Sequence, residues 1–194
     1  MDFGSIVTAN RSYRRFDQSV AISQETLREL VGLTTRVPSA MNAQALRYIL
    51  INDAQKNATI FENLAWAAAL PDWPGPSEGE RPSAYVVVLT DTRIKSMPDV
   101  DAGIAMQTML LGAAERGLGG CMFGSIRKAA VVEALQIPEH FELRWIVALG
   151  KPVEKVVLEP MGADGSTKYH RDADRTHYVP KRSLEDLILQ IGER

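Results

Sequence analysis

Cysteine is nearly absent: Cys121 is the only one in 194 residues, which excludes an intrachain disulfide and a cysteine-cluster metal site and fits a reducing compartment. Histidine is almost as scarce, with His140, His170 and His177 the only three, and no pair has metal-ligand spacing. Net charge is small, a formal −2, so broad attraction to nucleic acid or anionic lipid is not expected. Long apolar runs are missing too. Nothing approaches the roughly 18 residues of a membrane span, and the first residues lack an export signal's basic stretch and apolar core. A cytoplasmic protein with no membrane or nucleic-acid partner is therefore expected. The G-x-x-x-x-G-K-[ST] phosphate loop does not occur. A Rossmann fingerprint fails in "GLGGCMFGS", where Met122 replaces a required glycine and the segment follows a helix instead of opening one.

With 45% hydrophobic and 24% charged residues, the chain has the composition of one soluble globular domain, 1–194, long enough to bury a single core. In "AISQETLRELVGLTTRV", Ser23 is a candidate N-cap and Ile22 and Leu27 are placed as a hydrophobic staple, which predicts a helix ending near Pro38. "RYILIN" and "AYVVVLT" are short and rich in β-branched and aromatic residues, as strands are, and the second is expected to be buried on both faces. Between them "KNATIFENLAWAAAL" predicts a helix and "PDWPGPSEGERP" a long loop. "DAGIAMQTMLLGAAERG" is apolar nearly all round. That predicts a helix stopped by Gly117 and buried in a large core or against another subunit. Further on, "RKAAVVEALQI" reads as a helix, "ELRWIVALG" as a strand, and "SLEDLILQI" as a terminal helix capped by Ser183. Strands alternating with helices give a layered fold of both element types.

Candidate binding residues fall in four places. In "NRSYRRF", Arg11, Ser12 and Arg14 put two guanidinium groups and a hydroxyl within four residues, suited to a phosphate or to a flat carbonyl-and-nitrogen edge. A solvated basic end of the first helix explains the same charges. "VPSAMNAQ", Val37 to Gln44, is polar but nearly uncharged, more than a plain connector requires. The four glycines of "GLGGCMFGS" permit close backbone approach to a flat ligand, or a tight turn, and Cys121 reads as a small core residue. Lys181 and Arg182 precede a helix N-terminus, where anions settle. His170 and His177 lie in a polar extended stretch and are expected to face solvent.

Taken in order, "NRSYRRF", "PSAMNAQ", "ERGLGGCMFG", "ALGKP" and "HYVPKRSLED" resemble the FMN-dependent nitroreductase family over nearly the whole chain. The resemblance implies an α+β fold, a three-layer sandwich with a central mixed β-sheet flanked by helices, forming an intertwined homodimer with two FMN sites in the interface. It implies that Arg11, Ser12 and Arg14 hold the phosphate, ribityl chain and pyrimidine edge. Ser39 and Asn42, in a turn shaped by Pro38 and with Gln44 beside them, would come from the partner subunit. Gly119, Gly120 and Cys121 would offer backbone contacts near the reactive nitrogen, and Lys181 and Arg182 would close on the phosphate. The chain departs from the family at Asn10, where many members carry another arginine, and in "PKR", which lacks the one-residue gap of some relatives. The implied activity is electron transfer from NAD(P)H through FMN to a nitroaromatic, quinone or similar small-molecule acceptor. An oxygen-using FMN dehydrogenase and a non-catalytic flavin storage or sensing protein use the same residues. No acid or base side chain stands out as catalytic, and no metal site is expected.

Overall fold

The structure, a computed structural model, describes residues 2–67, 69–70 and 72–189. The described residues fall into two compact units. The first runs through Trp66 and again over Pro74–Val153; the second holds the short stretch between Ala67 and Trp73 and the chain from Glu154 onward.

The first unit is built on a run of residues too apolar to face water on either side. Strand β3, Ala84–Asp91, is buried at every position, as "AYVVVLT" predicts. Its side chains alternate between two cores, as the period of two in a strand requires. Ala84, Val86 and Val88 pack with helices α2, Gln24–Leu33, and α4, Pro98–Glu115; Tyr85, Val87 and Leu89 pack with α3, Ala54–Glu62, and α5, Lys128–Ala134. The sheet therefore lies between two helical layers. Antiparallel neighbours flank β3, namely β2, Leu46–Ile51, and β5, Phe141–Pro152, and β5 also pairs antiparallel with β1, Phe16–Asp17, and β4, Gly119–Phe123. A parallel bridge joins Ser12 to Gly120.

Local signals account for most of the helix ends. The Ser23 hydroxyl accepts the Thr26 N–H at 3.0 Å, and the flanking Ile22 and Leu27 are both buried, so the staple forms. Helix α4 closes with Gly117 at φ +67° while Leu118 N–H donates to the Ala113 carbonyl at 2.9 Å, a left-handed cap that a side chain would resist. Helix α3 departs from the expectation for 56–70, of which residue 68 lies outside the described residues. It ends at Glu62 because Leu64 bridges to Ile126, Ala65 N–H donates to Ser125 at 3.0 Å, and Trp66 packs edge-on against Phe123 at 4.6 Å between ring centres. Distant partners override the helical preference of "LAWAAAL". None of the helices among the described residues is long and apolar enough to cross a membrane.

In the second unit, strands β6, Val156–Pro160, and β8, His177–Lys181, run parallel, and β7, His170–Arg171, pairs antiparallel with β8, giving a mixed sheet. His177 corrects the solvent-facing expectation: it is 1% exposed, its N–H donates to Lys155 at 2.8 Å and its ring lies 5.0 Å from that of Tyr169. His170 is exposed, with Nε2 3.0 Å from Glu159 and its ring stacked on Tyr178. The terminal helix is one turn over the described residues, α6, Leu184–Leu187; residues 190 and 191 of the expected run lie outside them.

Candidate functional site

Helix α1, Phe3–Ala9, delivers the basic cluster to the start of β4. Tyr13 N–H donates to the Gly120 carbonyl at 3.0 Å, so the loop that carries Arg11, Ser12 and Arg14 is tied to the strand that carries Gly119, Gly120 and Cys121. The three arginines of the cluster have different partners. Arg15 is turned inward and held by a bidentate pair with Glu80, 2.8 Å and 2.6 Å, which makes it part of the frame. Arg11 donates from Nη2 to the Val7 carbonyl at 2.6 Å, while its Nε is buried with no partner among the described residues. Arg14 Nη1 donates to the Ser12 carbonyl at 3.3 Å.

Gly119 and Gly120 form strand and not the tight turn that their composition also suggested, and the protein itself fills the space a side chain would need at each. A Cβ on Gly120 would sit 2.2 Å from the Ala148 carbonyl oxygen, and one on Gly119 2.5 Å from the Tyr13 ring. Cys121 is 4% exposed and packs in the core shared with α3 and α5, as a small apolar residue does.

The segment 38–44 gathers elsewhere, against the first turn of α4. Ser39 leads into a single 3₁₀ turn, Ala40–Asn42, and three non-glycine residues take left-handed backbone: Met41 at φ 56°, Asn42 at 50° and Gln44 at 50°. Such conformations cost on the order of 1 kcal/mol each and persist only where the surroundings hold them. Here Ala40 N–H donates to Asp101 Oδ1 at 2.8 Å, Gln44 N–H to Ser39 Oγ at 3.2 Å, and Gln44 Nε2 to Asn42 Oδ1 at 3.1 Å. Pro38, Ser39, Asn42 and Gln44, with Tyr48 and Asp101, line a cavity of about 240 Å³ to which none of the Arg11–Arg14 or Gly119–Cys121 residues contributes.

Two of those lining residues were not among the sequence candidates. Asp101 is 3% exposed and its Oδ2 has no partner among the described residues. Burial chiefly, and the charge of Asp101 to a smaller degree, push the Tyr48 phenol above its ordinary value, while a hydrogen bond with Thr34 pulls the other way; Tyr48 stays protonated at neutral pH. A signal for Asp101 existed in the carboxylate that opens "DAGIAMQTMLL", although acids in a first turn, here Asp99 and Asp101, are also what the helix dipole favours.

Lys181 and Arg182 belong to the second unit. Lys181 ends β8, where its carbonyl accepts the Met161 N–H at 2.9 Å, and both side chains are exposed. The helix end they precede is already capped: Ser183 Oγ accepts the Asp186 N–H at 3.2 Å, and Asp186 returns a carboxylate to the Ser183 N–H at 3.1 Å. The Ser183 hydroxyl and amide, with the Arg182 charge, hold the Asp186 carboxyl below its usual range, so this helix end carries its own anion.

An α+β sandwich with a basic loop tied to a glycine strand, and a strained, uncharged polar turn over a cavity, defines a class. The Nitroreductase family profile matches residues 7–151, and the chain belongs to that family. Among individual proteins it is similar to the NADPH-flavin oxidoreductase of Vibrio harveyi, 25% identical over 79% of this chain and 67% of that one. It is likewise similar to the FMN reductase [NAD(P)H] of Bacillus subtilis, 26% identical over 79% of this chain and 67% of that one. A crystal structure from Exiguobacterium sibiricum, determined in complex with FMN, superimposes with a TM-score of 0.66 at 20% identity, covering 79% of this chain and 90% of that one.

Proposed function

We propose that this protein is an FMN-dependent oxidoreductase that takes electrons from NAD(P)H and passes them to nitroaromatic, quinone or similar small acceptors, with donor and acceptor using one place in turn. Membership of the nitroreductase family supports the reaction class, and the single observation that carries the site is the turn 38–44. Three left-handed residues and a buried carboxylate hold that uncharged polar turn against a cavity. The described residues fit a flat cofactor with a polar edge and a phosphate. Arg11 has a buried Nε–H with no partner among them, and Asn42 uses its carbonyl oxygen within the turn but not its Nδ2 donors. FMN, when bound, supplies two-electron transfer between donor and acceptor.

The chain's own groups bind and orient. Arg11, Ser12 and Arg14 grip the phosphate, ribityl chain and pyrimidine edge, where the Arg14 charge favours the reduced, negatively charged state. Lys181 and Arg182 add charge for the phosphate, and the Gly119–Cys121 backbone lies by the reactive nitrogen. Pro38, Ser39, Asn42 and Gln44 reach the cofactor of a partner subunit. On this reading the chain is one FMN-binding domain, the assembly is a homodimer, and it works in the cytoplasm.

Stopped flow tests the order of events. Donor alone should bleach the flavin band and acceptor alone should restore it, with parallel double-reciprocal plots at steady state. Intersecting plots, with no bleaching until both substrates are present, would show a ternary complex and overturn the alternation.

A further inference from the structure

The turn 38–44 is shaped by bonds at short range. Asn42 N–H donates to the Ser39 carbonyl at 2.9 Å, Ala43 N–H to the Ala40 carbonyl at 3.1 Å, and Arg47 Nη1 to the Gln44 carbonyl at 2.9 Å. Together with the bonds from Gln44 to Ser39 and Asn42, these fix the form of the turn, and every partner lies within residues 39–47. Among the described residues, the one side chain from farther along the chain that bonds the turn is Asp101, whose Oδ1 accepts the Ala40 N–H at 2.8 Å. That bond decides where on the protein the turn sits.

A buried carboxylate is a costly way to hold one backbone amide. Asp101 is 3% exposed, and its Oδ2 is buried with no hydrogen-bond partner among the described residues. An unmatched oxygen of that kind lowers stability. What the charge supplies is a stronger grip on the N–H than a neutral acceptor gives. The grip joins the turn to α4, whose Val100 is exposed and whose Ile104 is half-buried, an apolar outer side that suits a second copy of the chain. A turn that must reach the cofactor of that second copy has to be fixed against the helix on which the copy rests.

We propose that Asp101 is a positioning residue for flavin binding: through the Ala40 amide it places Ser39 and Asn42 where they meet the cofactor. This rests on the reading of the turn as part of the flavin site, and Asp101 acts through the turn and not on the cofactor. Without the anchor the turn takes up other placements, and the FMN dissociation constant rises as the reciprocal of the fraction of time spent in the right one.

Equilibrium dialysis of FMN against the full chain and its variants tests this. Asp101→Ala should raise the dissociation constant at least about fivefold and change the visible circular dichroism of the bound flavin, with sedimentation like that of the parent. Asp101→Asn, which keeps an acceptor oxygen without the charge, should recover most of both. Asp101→Leu fills about the same space with no acceptor and no buried charge, and it carries the test if Asp101→Ala fails to fold. Asn42→Ala, run alongside, should weaken FMN binding as well. If Asn42→Ala weakens binding and loss of the Asp101 acceptor does not, the positioning role alone is overturned; if neither does, the turn leaves the flavin site and the proposal falls with it. Asp101→Asn as weak as Asp101→Ala would make the charge at the start of α4 the cause, and altered sedimentation would make it assembly; either result overturns the proposal.

Discussion

Arg11 and Arg15 belong to one basic run and carry the same charge, yet the fold assigns them different work. Glu80 satisfies Arg15 inside the protein, whereas Arg11 keeps a buried Nε–H with no partner among the described residues. Arg11→Ala should therefore weaken FMN binding by roughly 1.5–3 kcal/mol, the value of a charge-assisted hydrogen bond. Equilibrium dialysis reads this directly, and an unchanged dissociation constant would remove Arg11 from the site. Asp91 bears on stability instead. Arg93 grips it through Nε at 2.8 Å and Nη2 at 2.7 Å, and those hydrogen bonds hold its carboxyl far below the usual range. A depressed folded-state value means that the stabilisation is complete while an unfolded aspartate is ionised. It begins to go as pH falls through about 4 and is lost below the folded value. Asp91→Asn should flatten the acid limb of the Tm-against-pH curve; a limb of unchanged slope would show that Asp91 does not contribute to it.

Strand β4 shows how an element can hide behind its own composition. Four glycines in nine residues suggest a turn, yet Gly119 pairs with Gly150 and Gly120 with Leu149. Glycine is needed there because the Ala148 carbonyl and the Tyr13 ring occupy the positions that side chains would take. Gly120→Ala should lower stability by at least about 2 kcal/mol, since β4 cannot move away from β5 without losing pairs. Thermal unfolding measures this, and a Tm within error of the parent would mean the sheet relaxes more freely than the contact implies. The turn 38–44 is the opposite case: its polarity was visible in the sequence, but its strain and its anchor on Asp101, 61 positions from Ala40, were not.

The proposed dimer would use helix α4. Its inner face is buried, while exposed Val100 and Gln107 and the half-buried Gly103, Ile104, Thr108 and Leu111 form one stripe at helical spacing. A second copy laid on that stripe would cover it and account for a helix apolar nearly all round. Sedimentation should find a dimer at low micromolar concentration. Ile104→Glu should shift it to monomer and lower FMN occupancy together, because a charge buried in an interface without a partner is costly. A stable monomer that still holds FMN would remove Ser39 and Asn42 from the partner's site.

Short-range interactions explain what could be read directly from the residues. The Ser23 cap, the Ile22–Leu27 staple, the unbroken apolar run of β3 and the Gly117 stop each depend on neighbours a few positions away, and each formed as expected. The ordered motifs of the Nitroreductase family were legible for the same reason. Folding alone distinguished Arg15 from Arg11, made β4 a strand, ended α3 at Glu62, buried His177 and set Asp101 beneath the turn. In each of these the deciding partner lies far along the chain: Glu80, Ala148, Ile126, Lys155 and Ala40 supply contacts that no local pattern encodes, because their energy exists only once the backbone has brought them together.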